Sequence, residues 1–515
     1  MKVDVWVTNR IAYLQEEFPE ALEEYWSFAH PKWNFVMRNK TYYLRCKYCR
    51  MWERQHTGKE NHRYKAYWDG RIHFMNGNRL PAGLFWATRK EIEKDTNIKF
   101  RVRGELVCPE KKSNGVVNSE RDYQNNCVAR MLKTLKFGGG LILNATGSGK
   151  TFIAAMLFSR LEGMACFIVD QLILLEQAKK ELESRLGERV GYVGDSEFEP
   201  QRVTVATRQT MSLHSENPKF KKWTKQLDVM IVDEIHEQMN HSNFKVVEKI
   251  RPKAVFGLTA TLQLRKKSVR LKAYALCGPV VFSYPLEQGQ REGVLSQGIG
   301  VRVLYPNPID ILVQRSLGWP QTYSQYVVSN PERNWLLADM IRASHGRGKY
   351  VICLVTRLKH LDELSQRLKM PHRIVSGTFQ GKSIKVEDRI LAKNKFEKGK
   401  VRVILANTVF KKGVDIKRVD VIIDGAAGRN ENDPIQKFGR GIRLHKEKTG
   451  LLYFDVNDVD ERNEENWFGI AAKYRTRSLK RAGIELHAYN WSEDSDGDTV
   501  LDMAEGWLRK RLDNV

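Results

Sequence analysis

From about residue 120 to residue 430, short apolar runs alternate with longer amphipathic stretches. The runs include LILN ahead of ATGSGKT, then CFIVDQL, VTVAT, VMIVDE, VFGLTAT, VICLVT, VRVILAN and VDVIIDG. Val, Ile and Leu in unbroken runs of about four to six residues suit strands whose sheet is covered on both faces, and the amphipathic stretches supply the covering helices. The pattern predicts an α/β fold with two parallel sheets in tandem. It falters over residues 262–330, where GPVVFSYPLEQGQREGVLSQG precedes VRVLYPNPIDI, which sets the expected lobes at 106–295 and 296–485. Residues 1–105 read differently: VDVWVTN, VMRNKTYYLRC, RIHFMNG and KFRVRGE are short strands around an aromatic, turn-rich middle, expected to form a separate small α+β domain. Residues 486–515 read as a C-terminal tail, with a solvated acidic loop, SEDSDGD, and a short helix.

Length and charge narrow the function. At about 100–200 residues per domain, 515 residues allow two to four globular units. The net charge of +25 favours a polyanionic partner, with nucleic acid ahead of an anionic membrane surface. No apolar run reaches the roughly 18–20 residues of a spanning helix, and MKVDVWVTNR lacks the apolar segment of a signal peptide. Seven scattered cysteines argue against a disulfide framework and for a reducing, cytoplasmic setting.

The strongest local signal is LILNATGSGKT, an apolar strand, a glycine-bearing loop and Lys-Thr opening a helix. Loop amides around Thr146, Gly147, Ser148 and Gly149 and the helix N-terminus would face phosphate, Lys150 would reach the β- and γ-phosphates, and the Thr151 hydroxyl would bind Mg²⁺. Asn144 stands where the usual pattern begins with Gly. About 80 residues on, VMIVDEIH ends a buried strand with two carboxylates. Asp233 would hold Mg²⁺ through water, and Glu234 would polarise the water that attacks the γ-phosphorus. His236 either couples this site to Thr259 and Thr261 of the TAT segment or is a surface histidine. In IQKFGRGIRLH, Gln436, Arg440 and Arg443 fall at i, i+4 and i+7, so one helix face would aim two guanidinium groups at a transferred phosphoryl group; a basic solvated face is the alternative.

In this order the segments resemble the motifs of superfamily 2 helicases over residues 120–445. RDYQ, with Arg121 and Gln124, resembles the adenine-reading Q motif; ATGSGKT resembles motif I, VDQLILLEQ motif Ia, DEIH motif II, LTAT motif III, VICLVTR motif IV, ILANTVFKKGVDI motif V and QKFGRGIR motif VI. The resemblance implies two RecA-like lobes with ATP and Mg²⁺ between them. It adds Gly413 and Asp415 to the nucleotide site and Arg208, Thr356 and Thr408 to the contacts with a nucleic-acid strand. YWDGR, including Trp68 and Arg71, NRLPAGL, and Asn330 with Arg333 and Asn334 are similar to the UvsW-type branch-migration helicases of T-even phages. That narrower likeness implies a viral monomer working in a host cytoplasm on forks, Holliday-like junctions or RNA–DNA hybrids, in replication, recombination or repair. A duplex translocase that leaves strands paired and a nucleic-acid-gated ATPase sensor are the alternatives.

Two features of the N-terminal region stand apart. Between Lys32 and Phe74, eleven Lys or Arg face three acids and are interleaved with aromatic residues, so cations could neutralise phosphate while rings stack on bases, with other rings forming the core. Cys46, Cys49, His56 and His62 offer four tetrahedral zinc ligands, or are two thiols and two surface histidines.

Overall fold

A computed structural model describes residues 1–15, 21–29, 71–112, 115–214, 216–236, 250, 252–260, 264–407, 416–429, 432–460 and 466–513. Cys46, Cys49, His56, His62, Trp68, Thr261, Thr408, Gly413 and Asp415 lie outside them. The chain divides into two compact units, one of residues 1–142 and 152–282 and the other of 143–151 and 283–515.

In the first unit the N-terminal residues form a four-stranded sheet, in the order Arg79–Pro81, Ile11–Leu14, Lys2–Thr8 and Lys99–Glu105. Lys2–Thr8 alternates strictly: Val3, Val5 and Val7 are buried while Lys2, Asp4, Trp6 and Thr8 point the other way. That period of two leaves one face to pack on the helix Ala82–Asp95, which contributes Leu84, Phe85, Thr88 and Ile92. This core continues into the helix Lys267–Cys277 through Leu271 and Ala275. Gly83 makes the approach possible, since a Cβ there would lie 2.5 Å from the Tyr274 carbonyl oxygen. Arg10 donates to the Leu276 carbonyl at 2.8 Å and Asn9 to the Lys253 carbonyl at 3.2 Å. The described residues among the first 105 therefore share their core with a helix that begins more than 160 positions after residue 105, rather than standing apart.

Eight strands make the next sheet, in the order Glu197–Glu199, Gly191–Gly194, Val203–Thr207, Met164–Val169, Leu227–Val232, Ala254–Thr259, Gly139–Asn144 and Val280–Tyr284. Pairings from Gly191–Gly194 to Ala254–Thr259 are parallel, and the short Glu197–Glu199 edge runs antiparallel. Leu141 N donates to Pro279 O and Ala145 N to Tyr284 O, so Gly139–Asn144 also runs with its neighbour. Val203–Thr207 and Ala254–Thr259 are buried at every position, as the apolar runs require.

The second unit carries a seven-stranded, wholly parallel sheet in the order Arg373–Val375, Val403–Ala406, Val351–Leu354, Val421–Asp424, Leu451–Val459, Gly298–Pro306 and Leu486–Asn490. Two parallel-sheet, RecA-like folds in tandem match the expected α/β class. The C-terminal residues are not a tail. Leu486–Asn490 is an edge strand, and the helix Gly497–Asp513 buries Val500, Leu501, Ala504 and Leu508 in the lobe core. The acidic run starts that helix: Asp496 accepts from Thr499 N at 2.7 Å, and Asp498 pairs with Arg347 at 2.8 Å. The sequence hid this because the helix's apolar partners, on Pro331–Gly346, lie far upstream.

Asn330, Arg333 and Asn334 serve this fold. The Asn330 side chain caps Pro331–Gly346 by accepting from Arg333 N at 3.0 Å. Arg333 is fully buried and grips Asp458 through Nε at 2.7 Å and Nη2 at 3.1 Å. Asn334 donates to the Val328 carbonyl at 2.8 Å, and its Oδ1 meets His360 Nε2 at 2.8 Å. Burial, reinforced by Arg333, holds His360 well below the usual histidine range, so it is neutral. Among the described residues no helix is long and apolar enough to cross a membrane, and Cys108, Cys166, Cys277 and Cys353 are free thiols.

Candidate nucleotide site

The phosphate loop begins where Gly139–Asn144 leaves its sheet and ends at the helix Lys150–Phe158. Gly147 at φ 87° and Gly149 at φ 80° occupy the left-handed region, and Ser148 N donates to Ala145 O at 3.2 Å. The chain thus curls with Lys150 and Thr151 in the first helical turn, the arrangement that turns backbone amides toward an anion. Asn144 is fully buried, and neither its Oδ1 nor its Nδ2 has a hydrogen-bond partner. An unsatisfied buried amide is costly and is found where a ligand or water completes it. Left-handed glycines, a helix start and an orphaned amide fit a nucleoside triphosphate.

The acidic pair sits at the end of Leu227–Val232. Asp233 N donates to Ile168 O at 2.9 Å on the neighbouring strand, and Asp233 Oδ1 accepts from Glu234 N at 3.0 Å. Glu234 adopts φ 45°, a left-handed conformation that a side chain enters only at a cost and that clusters at functional sites. Its Oε2 lies 3.3 Å from His236 Nδ1, and that nitrogen lies 2.9 Å from Thr259 Oγ1. His236 is therefore an inward link from the acidic pair to the LTAT segment, with its side chain only 6% exposed.

Gln436 and Arg440 lie on the helix Asn432–Gly441, but Arg443 does not. The helix ends two residues before Arg443, and the carbonyls at and beyond that end are met by other groups. Lys448 Nζ donates to Gly441 O, Ser296 N to Ile442 O at 2.7 Å, and Ser296 Oγ to Arg443 O at 3.0 Å. Arg443 thus projects from an anchored turn. Within this unit a Cβ on Gly147 would lie 3.3 Å from Arg443 Cγ, and one on Gly439 would lie 2.7 Å from Thr146 Cβ, so the glycines of both segments admit close backbone packing.

Beneath the helix lies a buried charge network that the sequence did not reveal. Lys437 Nζ donates to Asp424 Oδ2 at 2.6 Å, Tyr453 Oη to the same oxygen at 2.8 Å, and Arg475 Nε to Asp455 Oδ1 at 2.9 Å. Burial alone would raise the Asp424 carboxyl, but Lys437 and Arg475 outweigh it and hold Asp424 below the usual range. Asp455 goes the other way, raised chiefly by burial. Lys437 stands inside QKFGRGIR, and its bond to Asp424 ties the helix that carries Gln436 and Arg440 to the strand Val421–Asp424. Burial lowers the Lys448 ammonium to about 7.

Other expected contacts have local partners. Gln124 is 4% exposed, accepts from Ser119 Oγ and donates to Tyr123 Oη at 3.1 Å, while Arg121 precedes the helix Asp122–Thr134 at its N-cap. Arg208 holds Asp170 Oδ1 through Nε at 3.0 Å and Nη2 at 2.7 Å. Arg71 ties the antiparallel pair Ser27–Ala29 and Arg71–His73 by donating to Ser27 Oγ at 2.9 Å. Thr356 follows the strand Val351–Leu354, partly exposed. Among the described residues no cluster of three or more His, Cys, Asp or Glu could hold a metal.

A family model described as the Type III restriction enzyme res subunit matches residues 118–264, and the helicase conserved C-terminal domain matches 332–445. The chain is similar to a DNA 3'-5' helicase XPB of Mycobacterium tuberculosis, 21% identical over 67% of this chain and 61% of the relative. It is also similar to a DNA 3'-5' translocase XPB2 of Sulfurisphaera tokodaii, 24% identical over 64% of this chain and 80% of the relative. The chain thus spans less than two thirds of the mycobacterial protein. The crystal structure of T4 UvsW aligns over 95% of this chain and 99% of its own, at 16% identity and a TM-score of 0.41.

Proposed function

We propose, from the premise that the chain belongs to the superfamily 2 helicases, which are ATP-dependent and hydrolyse ATP, that it unwinds or branch-migrates structured DNA such as forks, Holliday-like junctions and R-loops. Replication, recombination or repair would be its setting, acting as a monomer in the cytoplasm. The observation that carries the reading is the approach of Gly439 and Arg443 to Thr146 and Gly147 of the phosphate loop. In this reading Lys150 and the loop amides hold the phosphates, Gln124 and Arg121 sit by the base, and Gln436, Arg440 and Arg443 stabilise charge on the transferred phosphoryl group. Magnesium, held by Thr151 and through water by Asp233, would neutralise phosphate charge. Glu234 orients and deprotonates the attacking water, and His236 passes the change to Thr259. The motif V residues Gly413 and Asp415 would complete the nucleotide site, Thr261 would extend the coupling segment, and Arg208, Thr356, Thr408, Trp68 and Arg71 would meet the nucleic acid. Contacts made mostly to the phosphate backbone would give little sequence preference.

Strand displacement on forked, Holliday-like, R-loop and plain duplex substrates, with and without ATP, tests this; ATP-dependent conversion of branched substrates is expected. ATP turnover stimulated by duplex with no strand separation on any substrate would favour a second reading, a duplex translocase, to which the name of the Sulfurisphaera relative lends support. Glu234→Gln should still bind ATP but hydrolyse it about 10²-fold or more slowly, the scale of a lost general base. Single-turnover hydrolysis beside nucleotide binding checks this, and near-normal turnover would remove Glu234 from the role.

A further inference from the structure

The N-terminal sheet has a second face that the helix Ala82–Asp95 does not cover. Because the register runs Arg79 beside Tyr13, Tyr13 beside Trp6 and Trp6 beside Arg103, one row crosses all four strands on that face. It reads Arg79–Tyr13–Trp6–Arg103, two aromatic rings bracketed by two guanidinium groups. Trp6 is 47% exposed although it lies mid-strand, an unusual place for a large ring open to water. Arg79 and Arg103 are exposed, and the Arg79 guanidinium carbon lies 5.7 Å from the Tyr13 ring centroid. Behind this row, Lys2 pairs in register with Lys99, and Asp4 with Arg101, whose Nη2 meets Asp4 Oδ2 at 2.5 Å. Counted over its outward positions, the face carries five cations against Asp4 and Glu105.

We propose that this face is a platform for single-stranded nucleic acid, with two bases stacking on Trp6 and Tyr13 and the flanking phosphates on Arg79 and Arg103. The inference rests on the motor reading above, which would generate separated strands, and assigns where one of them is held. Charge selects a polyanion, and the rings select its form: a duplex buries its base faces, whereas unpaired bases offer theirs to aromatic side chains. Neighbouring strands about 5 Å apart set the two rings side by side along one row, suited to successive bases rather than to one. The row belongs to the outward set of residues, opposite Val3, Val5, Val7, Ala12 and Leu14, so its chemistry is separable from the core.

Fluorescence anisotropy of the full-length chain with labelled oligo-dT and with a blunt duplex of equal length tests the assignment. Trp6→Leu with Tyr13→Leu should weaken oligo-dT binding at least about thirtyfold, the lower range for two lost base stacks, and leave duplex binding within about twofold. Trp6→Phe with Tyr13→Phe, which keeps both rings, should bind oligo-dT nearly as the parent does. Arg79→Gln with Arg103→Gln should reduce the salt slope of oligo-dT binding by roughly 1.4, as expected for two phosphate contacts to a single strand, whereas the ring-removing pair should leave the slope unchanged. Unchanged oligo-dT affinity in the ring-removing pair, or equal loss on duplex and single strand, would overturn the platform. ATP turnover of the parent chain separates the two ideas: stimulation by nucleic acid alongside a silent ring-removing pair sinks the platform alone, and turnover that no nucleic acid stimulates sinks the motor reading and the platform with it.

Discussion

Replacing Arg443 by alanine should lower kcat for ATP hydrolysis by about 10³-fold or more and change ATP affinity little, since an arginine presented to the phosphate loop would act mainly on charge that develops in the transition state. Its backbone is held by Ser296 at both Ile442 O and Arg443 O, so the side chain starts from a fixed point, with its Cγ against Gly147. Arg440 starts from the last turn of the helix instead. The same substitution there should cost less, a ranking that spacing along the sequence does not provide. Steady-state ATPase assays with a nucleotide-binding titration check this. A loss confined to affinity would place Arg443 in ground-state binding, and a smaller loss for Arg443 than for Arg440 would reverse the ranking.

Asp458→Ala should destabilise the second lobe by about 3–5 kcal/mol, the scale on which removing one partner strands a buried charge. Arg333 is wholly buried, and its two bonds to Asp458 are what compensate its charge; Asn307 also loses its 2.9 Å bond to Asp458 Oδ1. The urea midpoint should fall by about 1–3 M at ordinary m-values. Arg333→Met combined with Asp458→Leu should recover most of the loss, because the desolvated pair is then replaced by apolar contact. An unchanged midpoint for Asp458→Ala would show that water or another group satisfies Arg333.

Much of the site was legible because its chemistry is local. Left-handed glycines followed by Lys-Thr can be read from eleven consecutive residues, and so can a strand ending in Asp-Glu. The link from His236 to Thr259, which the sequence left open, needed only that two adjacent parallel strands bring their ends together. What escaped depended on distant partners. Arg443 lies past the end of its helix, where Ser296 and Lys448 cap the carbonyls, and neither lies within the motif. Asn330, Arg333 and Asn334 stood out as a family-like cluster, yet their partners, Asp458, Val328 and His360, make them a helix cap and a buried polar network. Lys437, inside the same motif, is buried against Asp424, which also accepts from Tyr453, and neither partner is near it in sequence. The second sheet's last strand and helix were hidden in the same way, since SEDSDGD reads as solvent-facing unless Thr499 N and Arg347 are known to meet it.

The shared core between the N-terminal sheet and the helix Lys267–Cys277 also governs how the polypeptide can be cut. A protease acting in the connecting stretch between Val107 and Asn118 would sever the backbone without releasing the sheet, because Leu271 and Ala275 remain embedded among Leu84, Phe85 and Ile92 and Arg10 still reaches the Leu276 carbonyl. The nicked fragments would migrate as one particle under native conditions and part only in denaturant. A gene shortened to begin at residue 106 would instead leave that apolar helix face bare from the moment of synthesis, inviting self-association. Dissection of this chain is therefore better done by single side chains on the outer sheet face than by trimming its end.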